Sequence, residues 1–281
     1  MRLLVLCVDG FDPDYAKENG FDKFKHSAKL TIPRECYTET LDGAQPATGK
    51  VWPSILSGRV YDQAATVRVG ARKMIHDWFM KAGITWDGPK KYTVNPWNRG
   101  IETVLTGRNA FTWNLPTISP EWIARFPDLP HIVEFAEREY QIFRMIAHGL
   151  LLSTHSYELA MIYTRTLDAW GHFQHIKSPQ DIEKLYIEIS SEAWRLSQRQ
   201  IAKNNHLMMI SDHGILNGKH TDHAYIGATF PFEAESILDI RSVIERALMS
   251  LCLREGPCPF KESGRCSLDF GPQCPDEEVR R

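Results

Sequence analysis

Three short stretches of this chain read as strands built on apolar runs: RLLVLCV (2–8), YELAMIYTRTLD (157–168) and HLMMISDHG (206–214). A strand with one wet face alternates apolar and polar residues. A continuous apolar run has to be covered on both faces, which is the situation of strands in a mostly parallel sheet. A carboxylate follows each run: Asp9, Asp168 and Asp212. Ligands of open α/β sheets bind beyond the C-terminal strand ends, so three strands ending in Asp predict one acidic edge.

The segments between these runs supply helices. One is expected from Pro13, and Trp52–Leu56 reads as a short helix that begins just after Thr48, closes at Gly58 and tolerates Pro53 in its first turn. Residues 128–152 carry apolar side chains at helical spacing. Ser178-Pro179 opens a second long helix that runs to about Asn204, and AYIGATF (224–230) predicts a last strand before a helix over Ser236–Leu251. NAFTWNLP (109–116) reads as a strand running into a loop, while residues 60–125 as a whole, with a helix around Ala71–Ala82 and a Gly/Pro-rich aromatic stretch, are expected to form an inserted cap. The fold expected is α/β, with a mostly parallel central sheet and helices on both faces, over residues 1–250; a cysteine-containing tail, 251–281, follows.

Apolar residues at 43%, charged residues at 24% and a net charge of −2 are ordinary for a soluble globular chain and give no global field for nucleic acid. No stretch approaches the ~20 apolar residues of a membrane helix, and Leu3–Val8 is shorter than a signal-peptide core, so a cytoplasmic protein is expected. In that compartment Cys7 and Cys36 are reduced thiols. Cys252, Cys258, Cys266 and Cys274 crowd the tail without the close pairs of most zinc fingers; a structural zinc site, reduced thiols and occasional disulfides are the open readings there.

Asp168-Ala-Trp-Gly-His172 and Asp212-His213-Gly214 each put an imidazole beside a carboxylate, and His220 and His223 come soon after. A single Asp after a strand is ordinarily a cap or turn residue. Three on one edge, with several histidines, instead make an oxygen and nitrogen donor set suited to zinc, manganese or iron.

GAQPATGKVWPSILSG (43–58) has the look of a phosphate loop, but Gly43 is followed by five residues before Gly49-Lys50, and Val51 brings no hydroxyl. The Walker spacing therefore fails. Together, VDGFDPD (8–14), TGKVWPSILSG (48–58), DAWGH (168–172), SDHGI (211–215) and GKH (218–220) occur in the order seen in type I phosphodiesterases and nucleotide pyrophosphatases, members of the alkaline phosphatase superfamily. The chain resembles that family from residue 5 to about 230. The resemblance implies an alkaline-phosphatase-like fold and Thr48 as nucleophile. One metal would be held by Asp9, Asp212, His213 and Thr48, and a second by Asp168, His172 and His220. Family members often carry Pro directly after the nucleophile, where this chain has Gly49.

His220 is preferred as last ligand because it follows Gly218; His223 is the other candidate, either for that place or as a substrate contact. Lys50 and Asn109 are further candidates for substrate contact. The expected partner is a small phosphate ester or nucleotide-like substrate, with no membrane and no strong signal for nucleic acid. The sequence leaves the oligomeric state open. A phosphodiesterase or pyrophosphatase with a phosphothreonine intermediate is the leading reading. A monoesterase or phosphomutase of the same superfamily and a silent metal-containing binding protein are the alternatives, although an intact Thr48 beside six other ligand candidates argues against silence.

Overall fold

Leu3–Val8 forms β1, with every residue buried, and the chain then enters the short helix α1 (Pro13–Glu18), whose first turn is capped by Asp12 accepting from the Tyr15 N–H. These elements belong to a computed structural model that describes residues 2–40, 43–61, 101–119, 129–153, 157–174 and 176–254. Strand β2 (His26–Thr31), the hairpin β3 (Tyr37–Thr40) and β4 (Gly43–Pro46), and helix α2 (Thr48–Ser57) come next. After β5 (Ala110–Trp113) the chain alternates: α3 (Leu129–Leu152), β6 (Leu159–Thr164), α4 (Thr166–His172), α5 (Pro179–Ala202) and β7 (His206–Ser211). The two-residue strands β8 (Ile215–Leu216) and β9 (Lys219–His220) pair with each other, and β10 (His223–Ala228) precedes α6 (Ile240–Arg254).

The central sheet has the order β2-β10-β7-β1-β6-β5. β1 pairs in parallel with β6 and β7, and β5 in parallel with β6. The last strand departs from the parallel pattern: β10 runs antiparallel to both β7 and β2. The sheet is thus mixed, mostly parallel, and covered on both faces. Alternate residues of β1 serve the two layers. Leu3, Val5 and Cys7 pack with Val51, Trp52 and Ile55 of α2 and with Val243 and Ile244 of α6. Leu4, Leu6 and Val8 pack with Tyr140 and Phe143 of α3 and with Leu185 and Ile189 of α5. Each such aliphatic side chain contributes ~1.5–3 kcal/mol through burial, which explains why the strand reads as an unbroken apolar run.

Helix α2 starts at Thr48 itself, so Pro53 is its sixth residue and lies in the second turn, not the first as expected. There its ring leaves the Gly49 carbonyl without a helical donor. Gly58, at φ +67°, closes the helix in the left-handed conformation. Strand β2 and the hairpin were not legible, because HSAKLT is an edge strand with a single buried residue, Leu30. The helix expected over Ala71–Ala82, most of the cap, and Cys258, Cys266 and Cys274 lie outside the described residues; Cys252 sits on α6, which runs past the expected boundary at residue 250. No helix among the described residues is long and apolar enough to cross a membrane.

Candidate metal centre

β7, β1 and β6 are neighbours, so their C-terminal ends lie side by side. Asp9 follows β1 directly, and Asp212-His213 follows β7. Asp168 does not end its strand. Pairing stops at Arg165, whose N–H and Nε both bond the buried Glu139 carboxylate, at 2.9 and 3.1 Å, and Asp168 belongs to the first turn of α4 with His172 one turn on.

The loop after β1 reaches α4 because residue 10 is glycine. Its φ is +82°, and a Cβ there would stand 2.6 Å from the Asp168 nitrogen. Gly10→Ala is expected to cost about 1–3 kcal/mol in stability and to push Asp168 away from Asp9; urea unfolding of the two proteins measures the first effect.

The seven side chains read from the sequence as nucleophile and ligands lie close to one another here. His213 Nε2 lies 3.2 Å from Asp9 Oδ1, 3.5 Å from Asp212 Oδ2 and 3.5 Å from Thr48 Oγ1. Asp168 Oδ1 is 3.2 Å from His220 Nε2 and 3.3 Å from His172 Nε2. The His213 and His220 rings stack at 3.8 Å, which joins the two groups into one cluster. Asp9, Asp212 and His213 form one grouping able to hold a metal, and Asp168, His213 and His220 another; the second has His213 where the sequence reading had His172.

Each imidazole is held by the backbone through Nδ1. His172 meets the Gly218 carbonyl at 3.0 Å, His220 the Pro46 carbonyl at 2.9 Å and His213 the Gly214 carbonyl at 3.2 Å. A carbonyl only accepts, so Nδ1 carries the proton and every Nε2 turns a bare lone pair to the cluster. His172 Nε2 and His220 Nε2 face each other at 2.9 Å, and two lone pairs at that separation require a cation between or beside them. Asp212 makes the same point: it is fully buried, and as a carboxylate it faces the Asp9 carboxylate with no hydrogen-bond donor from another residue. An unpaired carboxylate in such a place costs several kcal/mol. The donor set and its orphaned oxygens therefore fit divalent metal.

Without metal, protons take that place. Burial, and then the charge of Asp168, raises the Asp9 carboxyl to about 7. Asp212 is pushed well above the carboxylate range by burial and by Asp9. Burial would also raise Asp168, but the imidazoles of His172 and His220 outweigh it and hold that carboxyl well below its usual value. Burial opposes charge on His220, yet its bond to Asp168 raises it to about 9, whereas burial and the His220 charge lower His213 to about 3.

Thr48 is the first residue of α2, preceded by an N-cap, Ala47, with no side-chain acceptor for the helix amides. Helix N-terminal N–H groups left in this way receive anions. The remaining candidates lie elsewhere. Lys50 Nζ is taken by the carbonyls of Tyr37 and Glu35, at 2.7 and 3.1 Å, and ties α2 to the hairpin. Asn109 precedes β5 and accepts from the N–H of Glu158, which precedes β6. It therefore lies at the N-terminal edge of the sheet, a strand length of about 20 Å from the cluster at ~3.3 Å per residue. The substrate role read for it from sequence does not agree with that position. His223 opens β10 with a buried, unpartnered Nδ1 and belongs to neither metal-capable grouping. Sequence reasoning missed Tyr163, whose hydroxyl donates to Asp9 Oδ2; the available signal was a phenol inside an apolar strand, which must find a partner when buried.

No protein-family model matches the chain, and no curated protein matches it. Solved structures similar to it include an alkaline phosphatase from the Antarctic bacterium TAB5, at 11% identity and a TM-score of 0.42, covering 88% of this chain and 97% of that one. Human ectonucleotide pyrophosphatase/phosphodiesterase 5 aligns at 17% identity and a TM-score of 0.40 over 76% of this chain, which spans only 57% of that protein's chain. The PH0037 protein of Pyrococcus horikoshii aligns at 9% identity and a TM-score of 0.46, covering 88% and 96%. The likeness is one of fold. All three scores lie below 0.5, and the chemistry of the site rests on this chain's own side chains.

Proposed function

We propose that this chain is a two-metal phosphoric ester hydrolase of the alkaline phosphatase superfamily, of phosphodiesterase and nucleotide pyrophosphatase type, acting through a phosphothreonine at Thr48. The observation that carries the reading is the hydroxyl of Thr48, at a helix start without a side-chain cap, 3.5 Å from a histidine of an Asp/His cluster that needs cations. Asp9, Asp212, His213 and Thr48 Oγ1 would hold one ion, and Asp168, His172 and His220 the other. Bound divalent ions, zinc by this donor set with manganese or iron as alternatives, supply Lewis-acid stabilisation of phosphoryl charge and lower the pKa of a hydroxyl or water.

The chain's own part is geometric and electrostatic. The first amides of α2 receive the phosphoryl oxygens; Thr48 Oγ1 gives up its proton and attacks phosphorus in line with the ester oxygen, which leaves with the P–O bonding pair and takes up a proton from water. Water then hydrolyses the phosphothreonine and restores the hydroxyl. The backbone carbonyls behind the three imidazoles keep Nε2 directed at the reacting centre throughout. A small phosphate ester with a nucleotide-like leaving group is the substrate class.

The test compares wild type and Thr48→Ala on bis-(p-nitrophenyl) phosphate and p-nitrophenyl phosphate, with zinc or manganese added. Diester turnover in wild type that falls by roughly 10³-fold or more in the variant is expected, the scale of losing a covalent nucleophile. Turnover of the monoester alone would move the assignment to a phosphatase or mutase. Turnover that survives Thr48→Ala would remove the nucleophile from the proposal.

A further inference from the structure

We infer that Tyr163 is a positioning residue for the metal centre, the side chain that sets which oxygen of Asp9 faces the cluster; the inference rests on the two-metal reading. In the register of β1 with β6, Tyr163 lies opposite Cys7, two residues before Asp9 and on the same face of the sheet. Its hydroxyl donates to Asp9 Oδ2. The other oxygen, Oδ1, has no hydrogen-bond partner and stands 3.2 Å from His213 Nε2. The phenol thus occupies one side of the carboxylate and leaves a single oxygen for metal.

Two features make this more than an incidental contact. First, the three imidazoles are oriented by main-chain carbonyls, at Gly218, Pro46 and Gly214, which no substitution of a side chain removes. Asp9 is oriented by a side chain. Second, the Tyr163 ring is itself held in place: it meets the Trp52 ring edge to face at 5.6 Å and 90°, and both residues are buried. Trp52 stands one turn after Thr48 on α2. The helix that carries the nucleophile therefore also fixes the ring that fixes the metal ligand, so displacement at one end is felt at the other. Partners behind metal ligands are worth 10–100-fold in metal affinity as a rule, and an O–H bond to a carboxylate in a dry site is among the stronger kinds.

Tyr163→Phe keeps the ring and its contact with Trp52 and removes only the donor. The full chain and the variant would be stripped with EDTA and titrated with zinc against a chromophoric chelator. The expected result is one of the two ions bound roughly 10–100-fold more weakly in the variant, with the other unchanged. The zinc concentration giving half-maximal hydrolysis should rise by the same factor, an effect that a loss of stability alone does not produce. Should the stripped variant be partly unfolded, the rise in its melting temperature with zinc reads the same constant by linkage. Two ions bound by both proteins with equal affinity would overturn the inference and leave the two-metal reading standing. Wild type that takes up no zinc would overturn both.

Discussion

Asp212→Asn is expected to make the metal-free protein more stable while removing the proposed metal-dependent hydrolysis. Asp212 is fully exposed to its neighbours and not at all to water: both oxygens are buried without a donor, next to Asp9 and His213. Below its raised pKa the carboxyl survives there by keeping a proton, and at pH 8 that proton is costly to hold. An amide of the same shape carries no charge to bury. At pH 8 in EDTA, Asp212→Asn is therefore expected to gain about 1–3 kcal/mol in urea unfolding, on the scale of the gains seen when buried ionic groups are replaced by uncharged ones. The same change takes a ligand from the first of the two proposed metal positions. About one ion per chain should be lost, with hydrolysis falling by roughly 10²–10³-fold, as when one preorganised charge-stabilising group is removed. Stability and function would then move in opposite directions, the sign of a site built for something other than folding. A variant that keeps full metal content would sink the ligand assignment. A variant destabilised in EDTA would show that Asp212 has a structural partner.

How much of this was legible in the sequence follows from how each residue does its work. Unbroken apolar runs announced β1, β6 and β7, because strands buried on both faces have no polar position to spare. Asp9 and Asp212 follow those strands directly, so the sheet itself brought them together. Asp168 was found by the same pattern for a partly different reason: α4 intervenes, and its i,i+4 spacing is what presents His172 beside it. Strand β2 and the hairpin β3–β4 stayed invisible, since edge strands made of polar residues carry no periodic signal. The Pro46 and Gly218 carbonyls behind His220 and His172 could not be read at all, because any residue supplies a carbonyl and only the fold decides where it points. Asn109 shows the converse. Closeness in sequence to a strand says nothing about which end of the sheet a residue occupies, and parallel pairing with β6 sets it at the far edge.

Metal-free protein is expected to lose stability as pH rises from about 6.5 to 9, and zinc is expected to reverse the trend. Asp9, Asp212, His172 and His220 all have folded values raised above their usual ones, so the folded state holds protons that the unfolded chain releases. Such a group contributes stability below its unfolded pKa, and the contribution is lost as pH climbs through the folded value. The groups of opposite sign are silent in this window. His213, lowered to about 3, affects stability only below its unfolded value near 6.5, and the depressed Asp168 acts only under the usual carboxylate value. His220 alone, moved from 6.5 to about 9, accounts for a loss on the order of 3 kcal/mol, at about 1.4 kcal/mol for each pH unit between the two values. That corresponds to roughly 6–12 °C in melting temperature for a chain of this size. Zinc competes with the same protons for the same lone pairs, so its affinity should rise over the interval and protons should be released as it binds. Melting curves at pH 6.5 and 9, in EDTA and with two equivalents of zinc, measure both effects. Equal or greater stability at pH 9 in EDTA would mean that the carboxylates and imidazoles do not share protons as their geometry requires. A zinc stabilisation that does not grow with pH would mean that the metal binds elsewhere.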